Sequence, residues 1–174
     1  RTYEKLLINF RKDMPMLSTL HIENIAVVKR LDIEFLQGMT VLTGETGAGK
    51  SIIIDSINLL LGKKAEKELI RHGEKSCMVS GLFSSLADSC IQILSDAGIY
   101  VDEDGKLLVQ RTVCADGKSQ IRINGRAASL SVLKSVSSAL VNIHGQSDTS
   151  ALTEPKNQLS MLDIYSSNSK LLLE

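Results

Sequence analysis

Between residues 44 and 51 the chain reads Gly44-Glu45-Thr46-Gly47-Ala48-Gly49-Lys50-Ser51, a complete G-x-x-x-x-G-K-S spacing. Glycines at these positions let a backbone loop wrap closely round a phosphate and turn several N–H groups inward. Lys50 then reaches the β- and γ-phosphates, and the Ser51 hydroxyl ligates Mg²⁺. The apolar run Ile52 to Leu61 that follows reads as a helix, whose dipole and unpaired N–H groups add to the anion site. Met39-Thr40-Val41-Leu42-Thr43 before the loop is short and β-prone. A strand-to-helix junction is the context that separates a phosphate loop from a chance glycine turn. The expectation is therefore a nucleoside triphosphate site built on residues 44 to 51, with Lys50 both binding and catalytic and Ser51 on the metal.

Hydrolysis needs more than a cradle. An acidic residue at the end of an apolar strand must organise Mg²⁺, and another group must position the attacking water. Ile52-Ile53-Ile54-Asp55 has the composition of such a strand, but it starts directly after Ser51 and so belongs to the loop's own helix. Asp163 follows Met161-Leu162 in a stretch of helical spacing and reads as a solvated helix residue. A Leu-Ser-Gly-Gly signature is absent from the sequence. The remaining candidate is Gln146, in His144-Gly145-Gln146-Ser147, since a Gln at a strand end near the phosphates can hold Mg²⁺ and water. By its motifs the chain is half of an ATPase.

The elements that must position these groups follow from the pattern along the chain. Leu17 to Phe35 alternates as two strands joined at Glu23-Asn24, and Met39 to Thr43 is a third strand delivering the chain to the loop. The loop's helix stops near Gly62, a C′ glycine. Lys63 to Lys75, containing Leu69-Ile70-Arg71-His72-Gly73, is of mixed charge and reads as a surface loop. A strand over Cys77 to Phe83 and a helix over Leu86 to Ala97, stopped by Gly98, come next. Leu107 to Cys114 and Gln120 to Ile123 alternate on either side of Asp116-Gly117-Lys118, and Asn124-Gly125 closes the second run. Both dipeptides supply the positive φ of tight turns, so an antiparallel meander is expected. Ser129 is placed to cap a helix to about Ser138, followed by a short buried strand, Leu140 to Ile143, and a further helix from Pro155 with Leu159, Leu162 and Tyr165 on one face.

Composition sets the outer bounds. The chain has 174 residues, 43% of them hydrophobic, and a formal net charge of zero, so it fits one soluble globular domain, and its overall charge does not point to nucleic acid. Cys77, Cys90 and Cys114 are widely spaced, without a C-x-x-C pair, as expected of reduced core residues in an intracellular protein. Asp55, Ser56 and Asn58 interrupt the longest apolar stretch, leaving it too short and too polar to span a bilayer. Residues 1–15 lack the apolar core of a signal peptide and are set aside as a leader or added extension, with Met14 or Met16 the natural start. The end at Leu171-Leu172-Leu173-Glu174, with no stop signal, reads as a cut in a helix.

Four stretches together resemble the N-terminal head segment of the SMC-like branch of ABC-type ATPases, and within it the members that act in DNA repair. They are Leu20-His21-Ile22-Glu23-Asn24-Ile25-Ala26-Val27, Thr43 to Ser51, Ile121-Arg122-Ile123-Asn124-Gly125-Arg126, and His144-Gly145-Gln146, and they span nearly all of residues 17 to 165. The phosphate loop alone is widely shared, whereas the Asn-Gly-Arg hairpin and His-Gly-Gln loop at these separations are far more specific. The resemblance implies an α/β fold of the P-loop NTPase class: an ABC-type, SMC-like N-terminal lobe over residues 16–150 with a mixed sheet and an antiparallel β meander. Residues 151–174 are then the start of a truncated coiled-coil arm. The ligands it implies are ATP and Mg²⁺, with Gln146 as the metal and water residue of a Gln loop. Arg71 falls, more loosely, where such heads carry an arginine near the γ-phosphate or DNA. The implied partners are DNA, the protein's own C-terminal lobe and the second head of a homodimer, and the location is cytoplasmic and nucleoid-associated. A rival reading is a non-catalytic DNA-binding or dimerisation module with a structural nucleotide, in which Lys106, Arg111, Lys118, Arg122 and Arg126 form a basic face on the hairpins.

Overall fold

Period-two alternation builds the central sheet, and one face of it is apolar. The computed structural model describes residues 15–42 and 49–141. Strands β1 (Met16–Ile25), β2 (Val28–Glu34), β3 (Ser76–Ser84), β4 (Leu107–Cys114), β5 (Ser119–Ile123) and β6 (Arg126–Ala127) join in the order β2-β1-β3-β4-β5-β6. Each pairing is antiparallel. Registers Leu31↔Ile22, Ile22↔Val79, Val79↔Arg111 and Arg111↔Ile121 align one row across five strands. Leu20, Ile22, Val79, Phe83, Leu107, Val109, Val113, Ile121 and Ile123 are buried on that side.

Among the described residues three α-helices pack on the apolar face: α1 (Gly49–Leu60), α2 (Asp88–Asp96) and α3 (Leu130–Leu140). Each has an apolar stripe, with Ile52, Leu59 and Leu60 from α1, Cys90 and Leu94 from α2, and Leu133, Val136 and Leu140 from α3. Gly81 of β3 lets α1 sit close to the sheet. A Cβ at that position would stand 2.6 Å from Leu60 Cδ2 and 2.9 Å from Leu17 Cδ1. The Ser129 hydroxyl accepts from the Val132 N–H at 3.3 Å and caps α3, which runs to Leu140 rather than stopping at Ser138. Leu140 is thus helical, and only extended Val141 follows it among the described residues. The meander, the helix stopped by Gly98 and the C′ glycine at Gly62 all fall where the sequence placed them.

Two local expectations need correction. The β1–β2 turn lies at Ala26-Val27, not Glu23-Asn24, with φ of 54° at Asn24 and 47° at Ala26. The cause is a segment far along the chain. Leu69 O accepts from Ala26 N at 2.8 Å, Arg71 N donates to Asn24 O at 2.9 Å, and Ile70 bridges Ile25, so β1 finds partners two residues beyond the expected turn. The supposed loop Lys63 to Lys75 therefore carries a 3-10 turn, Lys67–Leu69, and an ordered docking contact. The strand expected over Met39 to Thr43 does not form in its described part, Met39 to Leu42, where Met39 is 89% and Val41 63% exposed. A strand requires a neighbour for its N–H and C=O groups, and no described strand pairs with this stretch. No parallel pair is present among the described strands.

Candidate nucleotide site

Four of the expected site residues are described, and α1 collects three of them. Gly49, Lys50 and Ser51 form its first turn, at the positive end of the helix dipole. No acidic side chain occupies that turn to neutralise it. A Cβ on Gly49 would meet nothing within 4 Å, Lys50 is half-buried and Ser51 is exposed. This donor set fits a phosphate group and, through the Ser51 hydroxyl, a hard cation shared with it. Gly44, Glu45, Thr46, Gly47 and Ala48 lie outside the described residues, as do Gln146, Asp163 and the whole stretch expected to begin an arm at residue 151. Asp55 is exposed on α1 itself, as its position directly behind the loop requires.

Arg71 is half-buried, and its guanidinium donates to the Val27 carbonyl. With its backbone N–H on Asn24 O, the residue is tied twice to the β1–β2 turn. The structure therefore assigns Arg71 a bracing contact, in addition to which the family resemblance puts a ligand role.

The far end of α1 is held more elaborately. Gly62, at φ 94°, closes a Schellman turn in which Lys63 N donates to Asn58 O at 3.0 Å and Gly62 N to Leu59 O at 3.2 Å. Arg111, only 2% exposed, then donates through Nη1 to Leu59 O at 2.8 Å and Lys63 O at 2.7 Å, and through Nε to Ser119 Oγ at 3.0 Å. Burial pushes its pKa down. A cavity of about 140 Å³ opens beside this end, lined by residues that include Asp55, Asn58, Lys63 and Glu66.

Arg111 also corrects the basic face of the rival reading. It points into the core between α1 and the sheet, away from solvent. Of the other four cations, Lys106 lies 3.7 Å from Asp104 and Lys118 3.0 Å from Asp116. Arg122 donates to Gly125 O at 3.0 Å, and Arg126 donates to Gly98 O at 2.6 Å with its guanidinium 5.4 Å from the Tyr100 ring centroid. The Asn124 side chain accepts from Leu108 N and donates to Tyr100 O, so the Asn-Gly-Arg hairpin locks the end of β4 to the chain after α2. Grouping Arg111 with exposed cations overlooked the alternation Leu107, Val109, Arg111, Val113, which already puts it on the apolar side of β4.

Comparison with known proteins places this geometry. The model of the AAA domain family matches residues 19–171. The DNA repair protein RecN of Bacillus subtilis (strain 168) is 40% identical over 153 residues, which cover 86% of this chain and 26% of that protein. RecN of Vibrio cholerae serotype O1 is 42% identical over 160 residues, covering 90% of this chain and 28% of that protein. The chain thus spans about a quarter of the length of the curated relatives it matches. Among solved structures, an SMC ATPase studied for ATP-driven dimerisation and DNA-stimulated activation superposes with a TM-score of 0.61 at 26% identity, covering 84% of this chain and 97% of that one. The Smc head domain from Pyrococcus yayanosii, with its coiled coil and joint, gives 0.58 at 28% identity, covering 72% of this chain and 26% of that one. The fold is that of the N-terminal lobe of a P-loop ATPase head of the SMC-like type. No described helix is long and apolar enough to cross a membrane.

Proposed function

Because the chain belongs to the AAA domain family, we propose that it is the ATP-binding N-terminal head lobe of a RecN-like protein acting in DNA double-strand-break repair and recombination. The observation that carries the reading is the first turn of α1. The motif's Lys50 and Ser51 sit there at the positive end of a helix whose own first turn contains no acidic residue, on a lobe of SMC-head fold. In this reading the N–H groups of residues 44 to 49 surround the phosphates, Lys50 draws charge from the β- and γ-phosphates, and the Ser51 hydroxyl holds Mg²⁺. Bound Mg²⁺ would supply charge neutralisation on the transferring phosphate and fix its orientation. Gln146 would share the metal and orient the attacking water, and Arg71 would lie near the γ-phosphate or DNA.

Nucleotide binding and hydrolysis separate cleanly in such a design. This chain holds the cradle, whereas the signature and the acidic strand belong to a C-terminal lobe reached through the arm that begins at residue 151. The heads of a homodimer would then close on ATP, engage DNA in the cytoplasm and part on hydrolysis. The rival reading, a structural nucleotide on a DNA-binding hairpin, loses support from the burial of Arg111 and the pairing of its neighbours.

Calorimetry with Mg-ATP tests the site. Lys50→Ala removes a charge-assisted contact of about 2 kcal/mol, which weakens binding roughly 30-fold. Equal binding by wild type and Lys50→Ala would sink the assignment. The chain alone should turn ATP over negligibly, and sustained turnover abolished by Lys50→Ala would refute the division of labour between two lobes.

A further inference from the structure

We propose that Arg111 is a positioning residue for the nucleotide site: its buried guanidinium anchors the C-terminal end of α1 and thereby fixes the turn that carries Lys50 and Ser51. The proposal rests on the reading that the other end of α1 binds a nucleotide. The argument begins with what stands at this position. Arg111 occupies the apolar row that runs Leu31, Ile22, Val79, Arg111, Ile121 across the sheet. A leucine or methionine would continue that row without the penalty of desolvating a charge. None of the ion pairs among the described residues includes Arg111, so its compensation comes from dipoles. Leu59 O belongs to the negative end of α1 and Lys63 O to the turn that follows it, three residues past Leu60, and Ser119 Oγ orients the guanidinium from β5.

Such contacts do something that apolar packing does not. Ile52, Leu59 and Leu60 pull α1 onto the sheet, but burial is non-directional and tolerates small slides and rotations of a helix. Two hydrogen bonds from one planar guanidinium to backbone atoms on either side of Gly62 define both the axial position and the rotation of the helix. Leu59 is nine residues from Lys50, about 14 Å along a rigid helix at ~1.5 Å per residue. At that distance the cation adds little field at the phosphates, so its influence is geometric. A displacement of about 1 Å at a binding constellation is enough to cost orders of magnitude.

The experiment compares Mg-ATP affinity with stability for the 174-residue chain. Arg111→Met keeps the length of the side chain and removes the donors, Arg111→Lys keeps charge and one donor head, and Leu94→Ala, in the buried face of α2, is a control for stability loss away from α1's end. Arg111→Met should retain cooperative unfolding and bind Mg-ATP roughly tenfold more weakly, with Arg111→Lys recovering part of that loss. Leu94→Ala should lower the urea midpoint with affinity within about twofold of wild type. Arg111→Met binding as wild type does, or Leu94→Ala losing as much affinity at equal stability, would show a structural role only and overturn the proposal. If Arg111→Met does not fold, Arg111→Lys and Ser119→Ala carry the test, and wild-type affinity in both overturns it. Failure of the wild-type chain itself to bind Mg-ATP is a different result: it removes the nucleotide site, and this proposal with it.

Discussion

Gly81→Ala is the sharpest test of how α1 is seated. The new Cβ would lie 2.6 Å from Leu60 Cδ2 and 2.9 Å from Leu17 Cδ1. Carbon atoms in good contact are about 3.5–4.0 Å apart, so each neighbour must yield by roughly 1 Å. Leu17 is only half-buried and can move, but Leu60 is fully buried and sits on the last turn of α1, where the Schellman turn and Arg111 hold the backbone. Overpacking of this kind costs about 1–3 kcal/mol. Against it stands a gain of about 0.5–1 kcal/mol from reduced freedom of the unfolded chain and better strand propensity. The centres of these ranges leave a net destabilisation of about 1.3 kcal/mol, which at a urea slope of about 2 kcal/mol/M lowers the midpoint by roughly 0.6 M. Leu60→Ala in the same chain should recover part of the loss, with a coupling of about 1 kcal/mol or more, because the two sites compete for one volume. A midpoint at or above wild type for Gly81→Ala, or strict additivity in the double variant, would refute the close seating of α1.

Two further outcomes follow from the local geometry. Ser129→Ala removes the cap of α3 and should cost about 0.5–1 kcal/mol in urea unfolding, while Ser129→Gly should cost only a few tenths; equal loss for both would deny the capping hydrogen bond. On the outer face of the sheet, Asp32 meets His21 Nδ1 at 2.5 Å and Arg30 Nε at 3.0 Å, and first the His21 hydrogen bond, then Arg30, hold its carboxyl below the ordinary range. A lowered folded pKa contributes stability that is complete above the unfolded value of about 3.9 and is lost as pH falls through the folded one. Asp32→Asn should therefore flatten the acid limb of the stability curve below about pH 4, and an unchanged acid limb would show that the contact is not maintained in solution.

Much of the fold was legible because its signals are local. Strands β3, β4 and β5 announce themselves by alternation, α2 and α3 by spacing, and the turns at Gly62, Gly98 and Asn124-Gly125 by residues that tolerate positive φ. The failures share a different origin, which is contact between segments distant in sequence. The β1–β2 turn lies three residues further on than expected because Leu69 to Arg71 pairs with the end of β1, more than forty residues along the chain. Met39 to Leu42 has strand composition but finds no neighbour among the described strands, and composition cannot supply one. At the candidate site, the helix that starts at Gly49 was legible from the apolar run that follows Ser51. Arg111 carries two opposed signals: its charge suggests solvent and a period-two count places it inside, and only the folded sheet shows that the carbonyls at the end of α1 meet it there.

That reassignment bears on where a nucleic-acid partner could be held. Five cations seemed to crowd the hairpins, yet one is buried, two are paired with aspartates, and two are committed to carbonyls at Gly98 and Gly125. Asp102, Glu103 and Asp104 precede β4, so the acidic charge beside this face offsets the exposed cations nearly one for one. A surface that neutralises phosphates must offer net positive charge, and each phosphate contact contributes about 0.9 to the slope of log affinity against log salt. The hairpin face lacks that surplus. Reversing Arg122 and Arg126 to Glu should therefore leave the duplex-DNA affinity of this chain, and its salt slope, close to the wild-type values, with the loss appearing instead in stability as the Tyr100 and Gly98 contacts of Arg126 are broken. A slope that drops by about one for each reversed arginine, with an unchanged urea midpoint, would restore the hairpins as a phosphate-contacting surface.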